Sequence, residues 1–86
     1  MKKYYKIKMN EIDDIKRFSR RILDIGSEAS IRTEDRKYCV DAKSIMGIFS
    51  LDLTKTLILE LNNEEEQFIK DVMDMGISIE PISLGD

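Results

Sequence analysis

The sequence predicts an α+β domain, a two-layer sandwich of amphipathic helices on a sheet with one apolar face. Three observations carry this. Residues 3–9, KYYKIKM, alternate apolar and polar positions with the period of two that belongs to a half-buried strand. Ile15, Phe18, Ile22 and Ile25 fall within roughly 80° of arc at helical spacing, with Lys16, Arg17, Arg20 and Arg21 on the opposite side. Residues 56–61, TLILEL, return to period two and put Leu57, Leu59 and Leu61 on one face.

In the first strand Tyr5, Ile7 and Met9 point one way and Tyr4, Lys6 and Lys8 the other. Asn10 then caps a helix over residues 11–25, and Gly26 ends it in the C′ position. Residues 28–33 alternate Ala29, Ile31 and Thr33 against polar positions, and residues 37–41, KYCVD, form the partner strand. Glu34, Asp35 and Arg36 make the hairpin loop between them. Cys39, inside that strand pattern, reads as a small packing residue. A short helix over residues 45–52 follows, opened by Ser44, and then the 56–61 strand. Asn63 and Glu66 have capping-box spacing, and Glu64, Glu65 and Glu66 suit the first turn, where the helix dipole favours negative charge. The helix they open carries Phe68, Ile69, Val72, Met73 and Met75 and stops at Gly76. The order is β-α-β-β-α-β-α. Residues 77–86 remain as a tail, in which Pro81 blocks helix. Its Ile77, Ile79, Ile82 and Leu84 either cover the sheet edge or contact a neighbour.

At 86 residues the chain is one domain, and at 42% hydrophobic it is too apolar for disorder. The net charge of −3 gives no general attraction to nucleic acid or an anionic membrane. It is unevenly spread: residues 1–32 balance at +4 and residues 33–86 at −7. Lys16, Arg17, Arg20 and Arg21 are read as a solvated face able to steer an acidic protein partner. Cys39 is the single cysteine, so no internal disulfide forms and a reducing compartment is expected. No apolar run approaches the ~20 residues of a membrane span. The opening lysines lack a following apolar stretch, so they do not start a signal peptide. A cytoplasmic protein is the expectation.

The chain has no histidine, which excludes Ser-His-Asp and Cys-His catalysis and, with one cysteine, most zinc sites. Gly26, Gly47, Gly76 and Gly85 are too scattered for a phosphate-cradling loop. Asp13-Asp14 and Glu64-Glu65-Glu66 each open a helix and read as dipole partners rather than catalysts. Tyr4, Tyr5 and Tyr38 are too few for base stacking. The expectation is a protein that is not an enzyme and needs no cofactor or metal.

The stretch DAKSIMGIFSLDLTK, residues 41–55, reads either as a short capped helix covering a core or as a modifiable serine at the edge of a docking surface. The Ser44 hydroxyl is placed to accept a hydrogen bond from the amide of residue 46 or 47, and removing such a cap costs about 1 kcal/mol. Capping alone would explain the serine. A helix of a turn and a half has little face to bury, however, so some of its apolar side chains stay exposed. Methionine is the adaptable residue of contact surfaces, and an exposed apolar patch beside a cap serine is a candidate binding site. A phosphate on Ser44 would add about −1.5 to −2 charge at the positive end of the helix dipole, which tolerates it.

At these residues the chain resembles the HPr family, the small phosphocarrier proteins of the bacterial sugar phosphotransferase system. Lys43-Ser44-Ile45-Met46-Gly47, then Ile48-Phe49-Ser50-Leu51, with Lys55 after Leu53-Thr54, resemble the family's regulatory-serine motif. The resemblance implies an open-faced two-layer α+β sandwich over residues 1–76, with residues 77–86 as a C-terminal tail. It implies a four-stranded antiparallel sheet in the order 1-4-2-3 with helices on one face.

The family's phosphorylated histidine, in a Gly-x-His-Ala-Arg-Pro type motif at the start of its first helix, is missing here. That region reads Asn10-Glu11-Ile12-Asp13-Asp14-Ile15-Lys16-Arg17, and Asp13 falls near the histidine position. Two acids there repel a phosphoryl donor, and an aspartyl phosphate on Asp13 or Asp14 would need a cation partner. The pattern resembles the catabolite-repression HPr-like branch, which lacks the histidine and keeps the serine. That resemblance implies phosphorylation of Ser44 by the HPr kinase/phosphorylase and binding to a transcription regulator of the LacI type, without direct nucleic-acid contact. Lys43, Ile45, Met46 and Phe49, with Arg17 and Arg20, are then the partner-binding residues. Phe49 stands where the family often has a methionine. The alternative is an HPr-fold structural or protein-interaction domain in which Ser44 only caps a helix.

Overall fold

The computed structural model of the chain describes residues 1–83. Leu84, placed with the tail above, lies outside the described residues. The elements run β1 (Lys3–Lys8), α1 (Ile12–Ile22), β2 (Ala29–Thr33), β3 (Cys39–Asp41), α2 (Ile45–Phe49), β4 (Leu57–Leu61), α3 (Glu66–Asp74) and β5 (Ser78–Ile82).

All strand pairs are antiparallel, and the order across the sheet is β3-β2-β4-β1-β5. This corrects the four-stranded 1-4-2-3 sheet. Those four strands keep their expected neighbours, and a fifth joins the free edge of β1. The segment left open by the sequence supplies it, with Ile79 in register with Ile7 and Pro81 with Tyr5. Pro81 cannot donate a backbone hydrogen bond, so an edge strand is where a sheet tolerates it.

Period two decides which side chains enter the core. Tyr5 and Ile7 of β1, Ala29 and Ile31 of β2, and Leu57, Leu59 and Leu61 of β4 are all buried. In register, Leu59 lies between Tyr5 and Ile31. The helices bury Ile15, Phe18 and Ile22 of α1, Ile48 of α2, and Phe68, Ile69 and Val72 of α3 in the same cluster. Phe18 and Phe68 meet edge to face at 5.7 Å and join α1 to α3. Ile58 points to the other side of the sheet and yet is 4% exposed. Lys6 and Arg32 flank it in register, and the stems of such long side chains shelter apolar neighbours.

Several local expectations fail for identifiable reasons. Asn10 is not a cap: α1 starts at Ile12 with Glu11 as N-cap and no side-chain cap bond. The helix ends at Ile22, three residues before the expected stop, with Leu23 as C-cap. Asp24 and Ile25 donate back only three residues, to the Arg21 and Ile22 carbonyls, a tightening that closes the helix early. Ile25 still reaches the core, but from this turn. Gly26 therefore does not serve as C′, and Gly76, at φ +83°, does end α3.

At the start of α3, Asn63 does not cap, and only Glu66 stands in the first turn. Glu65 is the N-cap, and its carboxylate accepts the buried Ser27 hydroxyl at 2.9 Å instead of bonding its own helix. Cys39 is exposed rather than packed. It shares a register row with Arg32 and Ile58 on the side of the sheet away from the helices, on the edge strand.

Candidate functional site

The chain turns sharply between β3 and α2. Asp41 organises the turn: its carboxylate accepts the Lys43 amide at 2.9 Å and its carbonyl accepts the Ser44 amide at 3.0 Å. Ser44 is extended (φ −101°, ψ 105°) and caps α2, its Oγ accepting the Gly47 amide at 3.2 Å. The Ser44 carbonyl accepts the Ile48 amide at 3.0 Å. The other end of α2 is closed by Ser50, whose hydroxyl and amide both donate to the Gly47 carbonyl, at 2.6 and 3.1 Å.

Gly47 suits this packing. A Cβ on it would stand 3.1 Å from the Val40 Cβ of β3 and 3.3 Å from the Ser44 Oγ. The missing side chain lets α2 lie directly on β3 while the cap hydroxyl keeps its place.

Helical spacing then sorts the apolar residues of α2. Ile48 is buried, and Ile45 packs against the core at half burial. Met46 is 76% exposed and Phe49 38% exposed. Ser44 itself is exposed. The hydroxyl, Met46 and Phe49 are thus reachable from solvent on one short helix. Lys43 precedes the cap serine and is half-buried. Its ammonium is directed to the Ile25 carbonyl at 3.0 Å, in the turn after α1.

Arg17, Arg20 and Asp13 lie on α1. Asp13, Arg17 and Arg20 line a shallow depression with Glu11 and Lys16. Arg17 and Arg20 line a second one with Arg21, Asp24 and Met75, and no residue from 43–49 lines either. Two of the four basic residues of this face are paired from within. Arg17 pairs with Asp14 at 2.6 Å, and Arg21 pairs with Asp71 at 2.6 Å and Asp24 at 3.5 Å. Side chains of Gln67 and then Arg21 hydrogen-bond to Asp71 and hold its carboxyl below the ordinary range. The Arg21–Asp71 contact joins residues 50 apart in sequence, which no local pattern signals.

Sequence reasoning also missed a cleft between the β2–β3 hairpin and the segment after α2, lined among others by Thr33, Asp35, Tyr38, Leu51, Asp52 and Lys55. Thr33 and the Lys37 amide lower the Asp35 carboxyl, and the Thr54 hydroxyl and amide lower that of Asp52. Those bonds tie each acid into its own turn. Among the described residues no group of three or more His, Cys, Asp or Glu is arranged to hold a metal. No described helix is long and apolar enough to cross a membrane.

No family model matches the sequence, and no curated protein does either. A solved structure does. The crystal structure of HPr-C-His from Thermoanaerobacter tengcongensis superposes with a TM-score of 0.60 at 25% identity, over 87% of this chain and 89% of that one. The fold is HPr-like. Within this HPr-like fold, Ser44 is an exposed N-cap and none of the 86 positions is a histidine.

Proposed function

We propose that the chain is a non-catalytic, cytoplasmic regulatory module of the HPr-like fold, switched by phosphorylation of Ser44. A kinase of the HPr kinase/phosphorylase type would transfer the terminal phosphoryl group of a nucleoside triphosphate to the Ser44 Oγ. The bond from that phosphorus to its bridging oxygen breaks, and the hydroxyl proton passes to a base on the kinase. The product carries about −1.5 to −2 charge on a surface where Met46 and Phe49 are ready for contact. The partner proposed is a transcription regulator of the LacI type, as in catabolite repression. Ile45, Met46 and Phe49 supply the apolar contact and Arg17 and Arg20 the charge. Asp13, near the position of the missing histidine, has no proposed carrier role.

One observation carries this reading: an exposed serine caps a helix whose Met46 is 76% exposed, in an HPr-like fold without histidine. Incubation with a nucleoside triphosphate and an HPr kinase should add one phosphoryl mass to a peptide containing Ser44, and Ser44→Ala should abolish it. A pulldown with and without that phosphate then identifies the partner. No label, or label retained in Ser44→Ala, rejects the reading.

A second reading is favoured by the cap itself. The Oγ–Gly47 bond and the burial of Ile48 account for the Ser44 motif as structure. The chain is then an HPr-fold interaction domain without phosphorylation. Ser44→Ala would cost about 1 kcal/mol of stability and leave partner binding unchanged.

A further inference from the structure

The Lys43 side chain has a role that its neighbour's charge can alter. Lys43 is half-buried, and its ammonium reaches back across the fold to the Ile25 carbonyl at 3.0 Å. Ile25 sits in the turn between α1 and β2, which α1 enters through the two tightened bonds of Asp24 and Ile25. Its side chain is buried in the core. The same turn is held at its other end by the Ser27 hydroxyl on Glu65. Lys43 thus ties the end of α1 to the start of α2, one residue before the cap serine.

A lone ammonium–carbonyl bond is easily contested. The carbonyl offers a partial charge, whereas an anion at position 44 would place a full one on the adjacent residue. The backbone amide of Lys43 is already fixed by the Asp41 carboxylate, so only the side chain is free to respond. We infer that Lys43 is a latch between α1 and α2, and that negative charge at residue 44 draws its ammonium off the Ile25 carbonyl and loosens the turn after α1. This rests on the proposed function only in naming Ser44 as the residue that gains charge. It adds a route by which a change at α2 is felt on the Arg17–Arg20 face of α1.

Two substitutions isolate charge from capping. Aspartate and asparagine are both good N-caps of nearly equal size, so Ser44→Asp and Ser44→Asn differ in charge alone. The readout is amide hydrogen exchange of Asp24 and Ile25, whose bonds close the last turn of α1. Exchange is expected to be about two- to fivefold faster in Ser44→Asp than in Ser44→Asn, the range of an exposed charge contact. Placed on Lys43→Met, the same pair should exchange alike. Equal exchange in the Lys43 background, or a difference that survives Lys43→Met, overturns the latch. Should Lys43→Met fail to fold, the carbon shift of the Ile25 carbonyl decides: it must differ between Ser44→Asp and Ser44→Asn. Because no kinase is involved, failure of phosphorylation rejects the proposed function and leaves this result standing.

Discussion

The Ser44 hydroxyl accepts the Gly47 amide at 3.2 Å, and the same hydroxyl is 3.3 Å from where a Gly47 Cβ would be. Cap and glycine are therefore one device: the second keeps room for the first.

Gly47→Ala tests that device. Within an open helix Ala is better than Gly by about 0.5–1 kcal/mol. Here the added methyl meets Val40 on one side and Ser44 on the other, both closer than ordinary contact. The expected net result is a loss of about 1 kcal/mol, with crowding outweighing propensity. Gly26→Ala is the control, since nothing lies within 4 Å of its Cβ position and its φ is not positive. It should be neutral or stabilising by about 0.4–1 kcal/mol. Urea melts of both variants give the comparison, and a stabilised Gly47→Ala would show that β3 yields freely to α2.

Asp71 gives a pH dependence with a definite sign. Its carboxyl is lowered in the folded chain, first by the Gln67 side chain and then by Arg21. A lowered folded pKa contributes stability above the ordinary value of about 3.8 and loses it as pH falls through the lowered value. Asp71→Asn lacks that titration. The stability gap between the native chain and Asp71→Asn should hold constant near neutral pH and shrink as pH drops below that ordinary value. Denaturant melts across the acid range measure it, and a gap that stays flat would mean Arg21 and Gln67 do not favour the charged form.

Much of this fold is legible in the sequence because burial follows period. Tyr5, Ile7 and Met9 at period two, and Ile15, Phe18 and Ile22 at helical spacing, go where the pattern sends them. The Ser44 cap was legible too, since a hydroxyl directly before an apolar helix start suits an N-cap. Asn10 and Asn63 looked equally good and cap nothing, because a turn fixed by tertiary bonds, such as Ser27 to Glu65, decides where a helix begins. The fifth strand was hidden because β5 reads Ser78-Ile79-Glu80-Pro81-Ile82, with a proline that argues against a strand unless its edge position is known. Lys43 on Ile25 and Arg21 on Asp71 join distant segments, and only the assembled fold brings them together.

The fifth strand should matter to stability and to association. Ile79 is buried against β1, in register with Ile7. Ile79→Ala removes three carbons from a site at the sheet edge, where neighbours can relax, so the expected cost is about 2 kcal/mol, the low end for such truncations. Removing residues 77–86 does more, because it uncovers the paired edge of β1 as well as the core. An unpaired strand edge is a template for a second chain. The truncated protein should be less stable and elute as a larger species on size exclusion. A stable, monomeric truncation would show β5 to be dispensable to the sheet.

Met46 and Ile48 separate docking from folding on a single helix. They stand two residues apart, Met46 at 76% exposure and Ile48 at 0%. Ile48→Ala leaves a hole in the core and should cost about 2–5 kcal/mol. Met46→Ala trims a largely exposed side chain and should change stability by less than about 0.5 kcal/mol. If α2 is the docking surface, Met46→Ala should nevertheless weaken binding to the proposed partner about tenfold, the loss of roughly 1.4 kcal/mol expected when an apolar anchor is removed from an interface. Phe49, at 38% exposure, should lose on both counts when truncated. Calorimetric titration of the phosphorylated protein, paired with a melt of each variant, distinguishes the cases. A Met46→Ala variant that binds as the native chain does would take α2 out of the interface and leave its apolar residues as covers for the core.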